Sequence, residues 1–278
     1  MARPSRNDLD TLVFFLGGHD LEMVTIRQLL EAQGVAFHDR HLAWGAAASA
    51  YDQEIAAALR AGRLPILVEL KLDLSCPLEA VRVVDHHNEQ AGQATALEQV
   101  FQWLGLPPAA WTRWFELVAA NDRGHIAAML ALQPPATLQE LRRVREADRA
   151  AQGVSAAEEV AAPAAVAACR QCAAGRLSVV DWTFDRVSAV ADRMERALGG
   201  PGYENLLVRG PHTTTFFGDG PAVEFLTCGF PGSPKERWWG GDLPRRGFWG
   251  GTLAGQEVEE ALVDFLASPP AAAEPSSP

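Results

Sequence analysis

Cysteine, positive charge and long apolar runs are all in short supply in this chain of 278 residues. The four cysteines (Cys76, Cys169, Cys172 and Cys228) are scattered, and only Cys169-Arg170-Gln171-Cys172 has C-x-x-C spacing. Without a second pair that spacing is a weak zinc signal, and without a preceding strand a weak redox one. Two small apolar residues at helical spacing in an Ala-rich stretch account for it equally well. No apolar run reaches the length of about 18 residues that a membrane span needs. Thr11–Leu16 is too short for the apolar part of a secretory signal and no A-x-A site follows, so a cytoplasmic location is expected. Lys and Arg total 24 against 35 Asp and Glu, a net charge of −11. Such a chain lacks the basic footprint that displaces counterions from long nucleic acid. The charge argues against DNA or RNA polymers as partners and leaves room for a small anionic substrate held by bound metal.

The remaining composition, 48% hydrophobic and 21% charged, is that of a globular protein, and the length suffices for two domains with cores of their own. After a polar leader, Thr11–Leu16 reads as a buried strand broken by Gly17-Gly18. His19-Asp20-Leu21-Glu22 opens a helix with Met23, Ile26, Leu29 and Leu30 on one face, stopped by Gly34. Strands are expected at 35–37, 65–70 and 81–84, and helices at 51–61, 94–104, 111–120 and 137–151. Strands alternating with helices predict an α/β fold with a parallel, doubly wound N-terminal sheet. The Ala- and Val-rich stretch broken by Pro163 reads as a helical connector, placed at residues 153–176 between a domain at 1–152 and a smaller α/β domain at 177–267. In the latter a strand at 177–182 and a helix at 184–198 are expected. Strands at 205–209, 212–217 and 221–228 follow, with Gly218-Asp219-Gly220 as a hairpin turn. A helix at 256–266 closes this domain, and residues 268–278 read as a disordered Pro/Ala/Ser tail.

The chemistry concentrates at Arg82-Val83-Val84-Asp85-His86-His87-Asn88, where an apolar run ends in a carboxylate and two imidazoles. Strand carboxyl ends are where open α/β sheets place their ligands. Asp20 and Glu22 follow the first strand, Glu69 or Asp73 the third, and Asp122 with His125 lie further on. Converging on one rim, these carboxylates repel unless cations neutralise them, as two divalent ions about 3.5–4 Å apart do in two-metal hydrolases. Carboxylate and imidazole donors without thiolate suit Mn²⁺ best and Mg²⁺ or Zn²⁺ next. His125 is open to two readings, a ligand or general acid and a surface helix residue. Of the tryptophans Trp182, Trp238, Trp239 and Trp249, at least two are expected in the core, while stacking on a base is a role open to the others.

Val84-Asp85-His86-His87-Asn88, with Asp20-Leu21-Glu22 before it and Asp122 after it, resembles the DHH superfamily of phosphoesterases, which includes nanoRNases, RecJ-type exonucleases and family II pyrophosphatases. The resemblance implies a two-manganese centre on the rim of a parallel sheet, closed by a smaller C-terminal domain with a Gly-rich loop, for which the Gly240–Gly251 segment stands. Carried over, Asp20 would bind the first ion and Glu22 the second. Glu69, with Asp73 in reserve, would bridge them, and His86 and Asp122 would complete the second ion. His87 and Asn88 would face the substrate phosphate, with Asp85 buttressing the histidines or ligating. Arg245, Arg246, Gly250 and Gly251 would meet the substrate from the other domain. Three departures stand out, one of them a glutamate, Glu69, at the second motif where aspartate is usual. The second acid of the first motif is Glu22 where aspartate is usual, and the histidine expected before it falls on Gly18 or Leu16, leaving His19, His38 or His41 as substitutes.

The function implied is hydrolysis of a small phosphodiester or phosphoanhydride, such as a nucleotide or short oligonucleotide, by metal-activated water. The alternative is a catalytically degenerate binding or regulatory protein on the same scaffold. A homodimer is compatible with either.

Overall fold

The computed structural model describes residues 9–267 apart from 75, 88, 89, 91, 230–236 and 244; residues 1–8 of the N-terminal leader, Asn88 and the expected C-terminal tail thus lie outside the described residues. The chain divides into two units, one ending at Gly153 and the other beginning at Val154.

The first unit is built on β1 (Leu12–Leu16), whose five residues are all buried. A strand covered on both faces reads as a continuous apolar run rather than an alternating one, and this is the mark of a central parallel strand. It pairs in parallel with β2 (Ala36–Asp39) and β3 (Leu64–Val68), and β3 pairs in parallel with β4 (Arg82–Val84), giving the order β2-β1-β3-β4. On one face Val13, Phe15 and Leu67 pack against Tyr51 and against Ile55 and Ala58 of helix α2 (Asp52–Arg60). The alternating residues Phe14, Leu16, Ile66 and Val68 point the other way and are equally buried.

Helix α1 (Leu21–Gln33) starts where Asp20 caps the Met23 amide and stops where Gly34 turns left-handed. It packs against α3 (Ala96–Trp103), α4 (Arg113–Ala131) and α5 (Leu138–Ala151). Thr95 with Glu98, and Thr137 with Glu140, form capping boxes that fix the starts of α3 and α5. The helix expected to end at Ala120 continues as α4, with a break at Gly124 and His125. Asn121 and Asp122 are therefore helical rather than part of a loop.

The second unit holds a six-stranded sheet of order β5-β6-β7-β8-β10-β9. Its strands are β5 (Arg170–Cys172), β6 (Leu177–Asp181), β7 (Asn205–Arg209), β8 (Thr214–Asp219), β9 (Arg237–Asp242) and β10 (Arg246–Gly251). Only β6 and β7 run parallel. Three expectations need correction here. The stretch read as a connector is helix α6 (Ala156–Ala167) followed by β5, and Ala162 of α6 lies in a core with Val180, Leu206 and Val208 and with Ala189, Val190 and Met194 of α7 (Ser188–Met194). Cys172 accordingly belongs to a strand, and all four cysteines are free. The third correction concerns 221–228, which is not a strand but helix α8 (Gly220–Gly229). Pro221 suits the first turn of a helix, which needs no amide there, and Ala222, Val223 and Leu226 share the inner face. They pack with Trp249, Phe216 and Val258, Leu262 and Leu266 of helix α9 (Gly255–Ala267).

Among the described residues no helix is long and apolar enough to cross a membrane.

Tyr51 ties the first sheet to its flank. Its fully buried hydroxyl donates to the Leu16 carbonyl at 2.8 Å and accepts from the Arg40 amide at 2.9 Å. Tyr51→Phe removes both bonds, one at the carboxyl end of β1 and one just past β2. It is expected to cost about 1–3 kcal/mol, the usual penalty for stranding buried polar groups, measured as a lowered midpoint in urea unfolding.

Candidate metal centre

Parallel strands that end together bring their following residues together, and the rim of the first sheet shows this. Gly17 follows β1, Glu69 follows β3 and Asp85-His86-His87 follows β4. Two backbone bonds hold this rim: the Gly17 amide donates to the Val68 carbonyl at 2.8 Å and the Glu69 amide to the Val84 carbonyl at 2.9 Å. Gly17 must be glycine, since a Cβ there would lie 2.4 Å from the Glu69 carbonyl oxygen. Glu69 itself adopts a left-handed backbone, φ +52°, a costly conformation for a residue with a side chain that tends to persist at functional sites.

The result is a group of four side chains: Glu22, Glu69, His86 and Asp122. One ligand atom from each lies within 4.8 Å of all the others. His86 Nε2 is 2.6 Å from Asp122 Oδ2, 3.5 Å from Glu69 Oε1 and 3.9 Å from Glu22 Oε2. These four atoms are buried, and none has a hydrogen-bond partner outside the group. They meet one another instead, with three carboxylates sharing a single imidazole, whereas buried polar atoms in folded proteins are nearly always fully paired. The outer oxygen of Glu22 is satisfied, accepting from the Leu97 amide at 2.9 Å at the start of α3. Buried atoms of this chemistry, three carboxylates and one imidazole, fit a divalent cation.

The electrostatics agree. Burial, reinforced by the charges of Asp122 and Glu69, raises the Glu22 carboxyl well above its usual range. Burial and the charges of Glu69 and Asp122 push Asp20 up to about 7, opposed by its bond from the Met23 amide. Burial opposes the charged form of His86, but the Asp122 and Glu69 carboxylates outweigh it and raise its pKa to about 10. In the metal-free chain His86 is thus a proton standing in for a stronger cation.

His87 lies beside this group and forms a second, overlapping one with Glu69 and His86. Its Nδ1 is 3.0 Å from Asp85 Oδ1, and its amide donates to the same oxygen at 2.9 Å. Asp85 raises the pKa of His87. Burial works against the Asp85 carboxylate, but its bonds from His87 and its neighbours hold its own pKa low. Asp85 thus holds His87 rather than joining the four-residue group.

Asp20 stands at the margin. One of its oxygens caps the Met23 amide at 2.9 Å, and its other oxygen lies near Gly18, as does Glu69 Oε2: a Cβ on Gly18 would be 4.0 Å and 3.9 Å from them. Asp73 is the clear correction. It is exposed and held by the Ser49 amide at 2.8 Å and hydroxyl at 2.5 Å, away from the group. His125 is exposed with φ +56° and is not among the gathered ligands. Of the histidines offered as substitutes, His38 stacks on Phe15, while His19 and His41 meet edge to face at 5.1 Å.

The second-unit candidates are placed within their own sheet. Gly250 and Gly251 belong to β10 rather than to a loop, and a Cβ on Gly250 would strike the Trp238 ring at 2.2 Å. Arg246 pairs with Asp219 at 3.9 Å and lies over the Tyr203 ring. The Arg245 carbonyl accepts from the Gly220 amide at 2.9 Å. Trp182 and Trp249 are core residues, as expected.

Sequence reading missed the support behind the ligands. Arg145 of α5, buried, donates to Asn121 Oδ1 at 2.9 Å and to Asp148 Oδ2 at 2.6 Å, and Asp148 Oδ1 accepts from the Leu21 amide at 3.2 Å. One ion pair thus braces the residue between Asp20 and Glu22 and the residue before Asp122. Its signal was two charges, Arg145 and Asp148, on the same helical stripe as Leu141 and Val144.

No protein-family model and no curated protein matches the chain. Solved structures do match. They include a pGpG-specific phosphodiesterase, PggH, of Vibrio cholerae, at 12% identity and TM-score 0.45, covering 93% of this chain and 98% of that one. RecJ of Thermus thermophilus in complex with Mn²⁺ matches at 15% identity and TM-score 0.49, covering 95% of this chain and 55% of that one. An exopolyphosphatase-related protein of Bacteroides fragilis matches at 9% identity and TM-score 0.46, covering 95% and 97%. The chain spans about half the length of RecJ. Likenesses this distant leave the chemistry to be read from the cluster itself.

Raised carboxylate pKa values have a sign. Asp20 and Glu22 favour folding while protonated, and that contribution is lost as pH climbs from the unfolded range near 4 through the folded values, about 7 for Asp20. The metal-free protein should therefore lose stability across this window, and a divalent ion should restore it. Added Mn²⁺ is expected to raise the melting temperature by more at about pH 8 than at about pH 5.5, followed by scanning fluorimetry. A shift that is equal at both or larger in acid would contradict this assignment.

Proposed function

We propose that the chain is a metal-dependent phosphoester hydrolase acting on a small phosphodiester or phosphoanhydride. The observation that carries this reading is the convergence of four buried ligand atoms, from Glu22, Glu69, His86 and Asp122, with no partner outside the group, at the carboxyl-end rim of a parallel sheet. The Asp85-His86-His87 resemblance supplies the reaction class. Mn²⁺ suits a carboxylate-rich site with one imidazole, with Mg²⁺ or Zn²⁺ next. Glu22, Glu69, His86 and Asp122 would hold the tighter ion, and Asp20 with the other Glu69 oxygen would supply ligands to a second. A divalent ion at such a site lowers the pKa of water toward neutrality and offsets charge on the phosphoryl oxygens.

The chain's own residues have separate tasks. Asp85 orients the His87 ring through Nδ1 and favours its protonated form, in which Nε2–H would donate toward a phosphoryl oxygen or a leaving group. His87 is about one-third exposed, so a substrate can reach it, while His86 is 8% exposed and is not placed to meet one. His86 must give up its proton to ligate, and so must Asp20 and Glu22, which makes activation by metal steeper as pH rises. The net charge of −11 favours a short substrate over a polymer.

The test is release of phosphate or nucleoside monophosphate from a panel of small phosphodiesters and phosphoanhydrides by the Mn²⁺-loaded protein. Asp122→Asn is expected to abolish turnover, and His87→Asn to lower kcat about 10²–10⁴-fold, the usual worth of a positioned acid, with loss of the alkaline limb of the pH profile. Asp73→Asn should leave both kcat and KM unchanged. A loaded protein that binds phosphate but turns nothing over would instead favour the binding-protein alternative, for which the commitment of one Asp20 oxygen to the helix cap speaks.

A further inference from the structure

Trp44 is the most exposed tryptophan among the described residues, with 59% of its surface open to solvent. An indole in water forfeits the burial that usually justifies a side chain this large, and its position is not random. Its ring meets that of His87 edge to face, centroids 6.3 Å apart and planes at 84°. It stands as a wall beside the one histidine of the centre that a substrate can reach.

The backbone fixes it there. Ala43 to Ala46 form a turn in which the Ala46 amide donates to the Ala43 carbonyl at 3.2 Å, with Gly45 at φ +76° in the position that demands glycine in a type II turn. The turn is pinned in turn to the segment just past Glu69: the Lys71 amide donates to the Ala46 carbonyl and the Ala48 amide to the Lys71 carbonyl, both at 2.9 Å. Lys71 lies two residues beyond the Glu69 ligand, and its ammonium sits beside Gly45, 3.3 Å from where a Cβ would be. The indole is therefore carried on a turn referenced to the same strand end that positions Glu69, with a cation alongside.

We propose that Trp44 is a specificity residue that stacks the base of a nucleotide whose phosphate is held at the metal centre, so that the substrate class is nucleotidyl rather than inorganic phosphate. This rests on the phosphoester reading above. A flat apolar face serves any base, because every base has a π face, while the phosphate end is shared with base-free esters. Trp44 thus discriminates by what hangs from the phosphate, not by the phosphate.

The experiment compares adenosine 5′-monophosphate with ribose 5-phosphate, which carries the same sugar and phosphate without the base, by calorimetric titration into the Mn²⁺-loaded full chain. The wild-type protein is expected to bind the nucleotide at least tenfold more tightly. Trp44→Ala should erase that difference while leaving the affinity for ribose 5-phosphate unchanged, and Trp44→Phe should keep most of it. A preference that survives in Trp44→Ala, or no preference in the wild type, overturns the assignment, as does a change of oligomeric state in Trp44→Ala with the preference intact. Binding of ribose 5-phosphate reports on the metal centre alone. If neither ligand binds, the phosphoester reading fails and the Trp44 assignment falls with it; if ribose 5-phosphate binds without a base preference, only the latter falls.

Discussion

Three carboxylates and a single imidazole, drawn out of water so that their inner atoms face one another with no partner outside the group, are the constraint around which the first unit is arranged. Carboxylates held this close and this deep repel by several kcal/mol unless a cation sits among them, and a proton on His86 only partly answers that. The fold tolerates this conflict because the backbone leaves the side chains no alternative. Glu69 is turned left-handed at the end of β3, Gly17 leaves room for its carbonyl, and the outer oxygen of Glu22 is taken by the start of α3. A group that is unfavourable to fold and poised for a metal is the pattern in which stability yields to function.

Precision at such a centre depends on what lies behind it. The Arg145–Asp148 pair of α5 reaches the Leu21 backbone on one side and Asn121 on the other, so two ligand-bearing helices share one brace. Asp85 does the same for His87 through its amide and its ring. Asp20 serves both purposes at once, as cap of α1 and as neighbour of the centre. Its divided commitment leaves it outside the four-residue group.

What the sequence discloses of this arrangement follows from how local each determinant is. The strand end at Asp85-His86-His87 is readable because an apolar run stops there, and Glu22 because the helix after Gly17-Gly18 begins at a clear cap. The choice between Glu69 and Asp73 is not local. Both follow β3, and only the left-handed turn at Glu69 and the hold of Ser49 on Asp73 separate them. Asp122 is legible as a candidate but falls past the expected helix end at Ala120, since nothing in Asn121-Asp122-Arg123 announces that α4 runs on. In the second unit Gly218-Asp219-Gly220 carries every mark of a turn, yet the chain enters a helix there, because Ala222, Val223 and Leu226 are needed against Trp249 and α9. Trp44 gave no sign at all, being a single aromatic in an Ala- and Gly-rich stretch whose neighbour, His87, is distant in sequence.

The most direct test of the central claim is an anomalous difference map from crystals of the full chain grown with Mn²⁺. A peak bounded by Glu22, Glu69, His86 and Asp122, at the roughly 2.0–2.2 Å expected for ligands to such ions, is the predicted result. A map with no peak there, or with manganese held only elsewhere, would mean that the four buried atoms converge for some reason other than a metal.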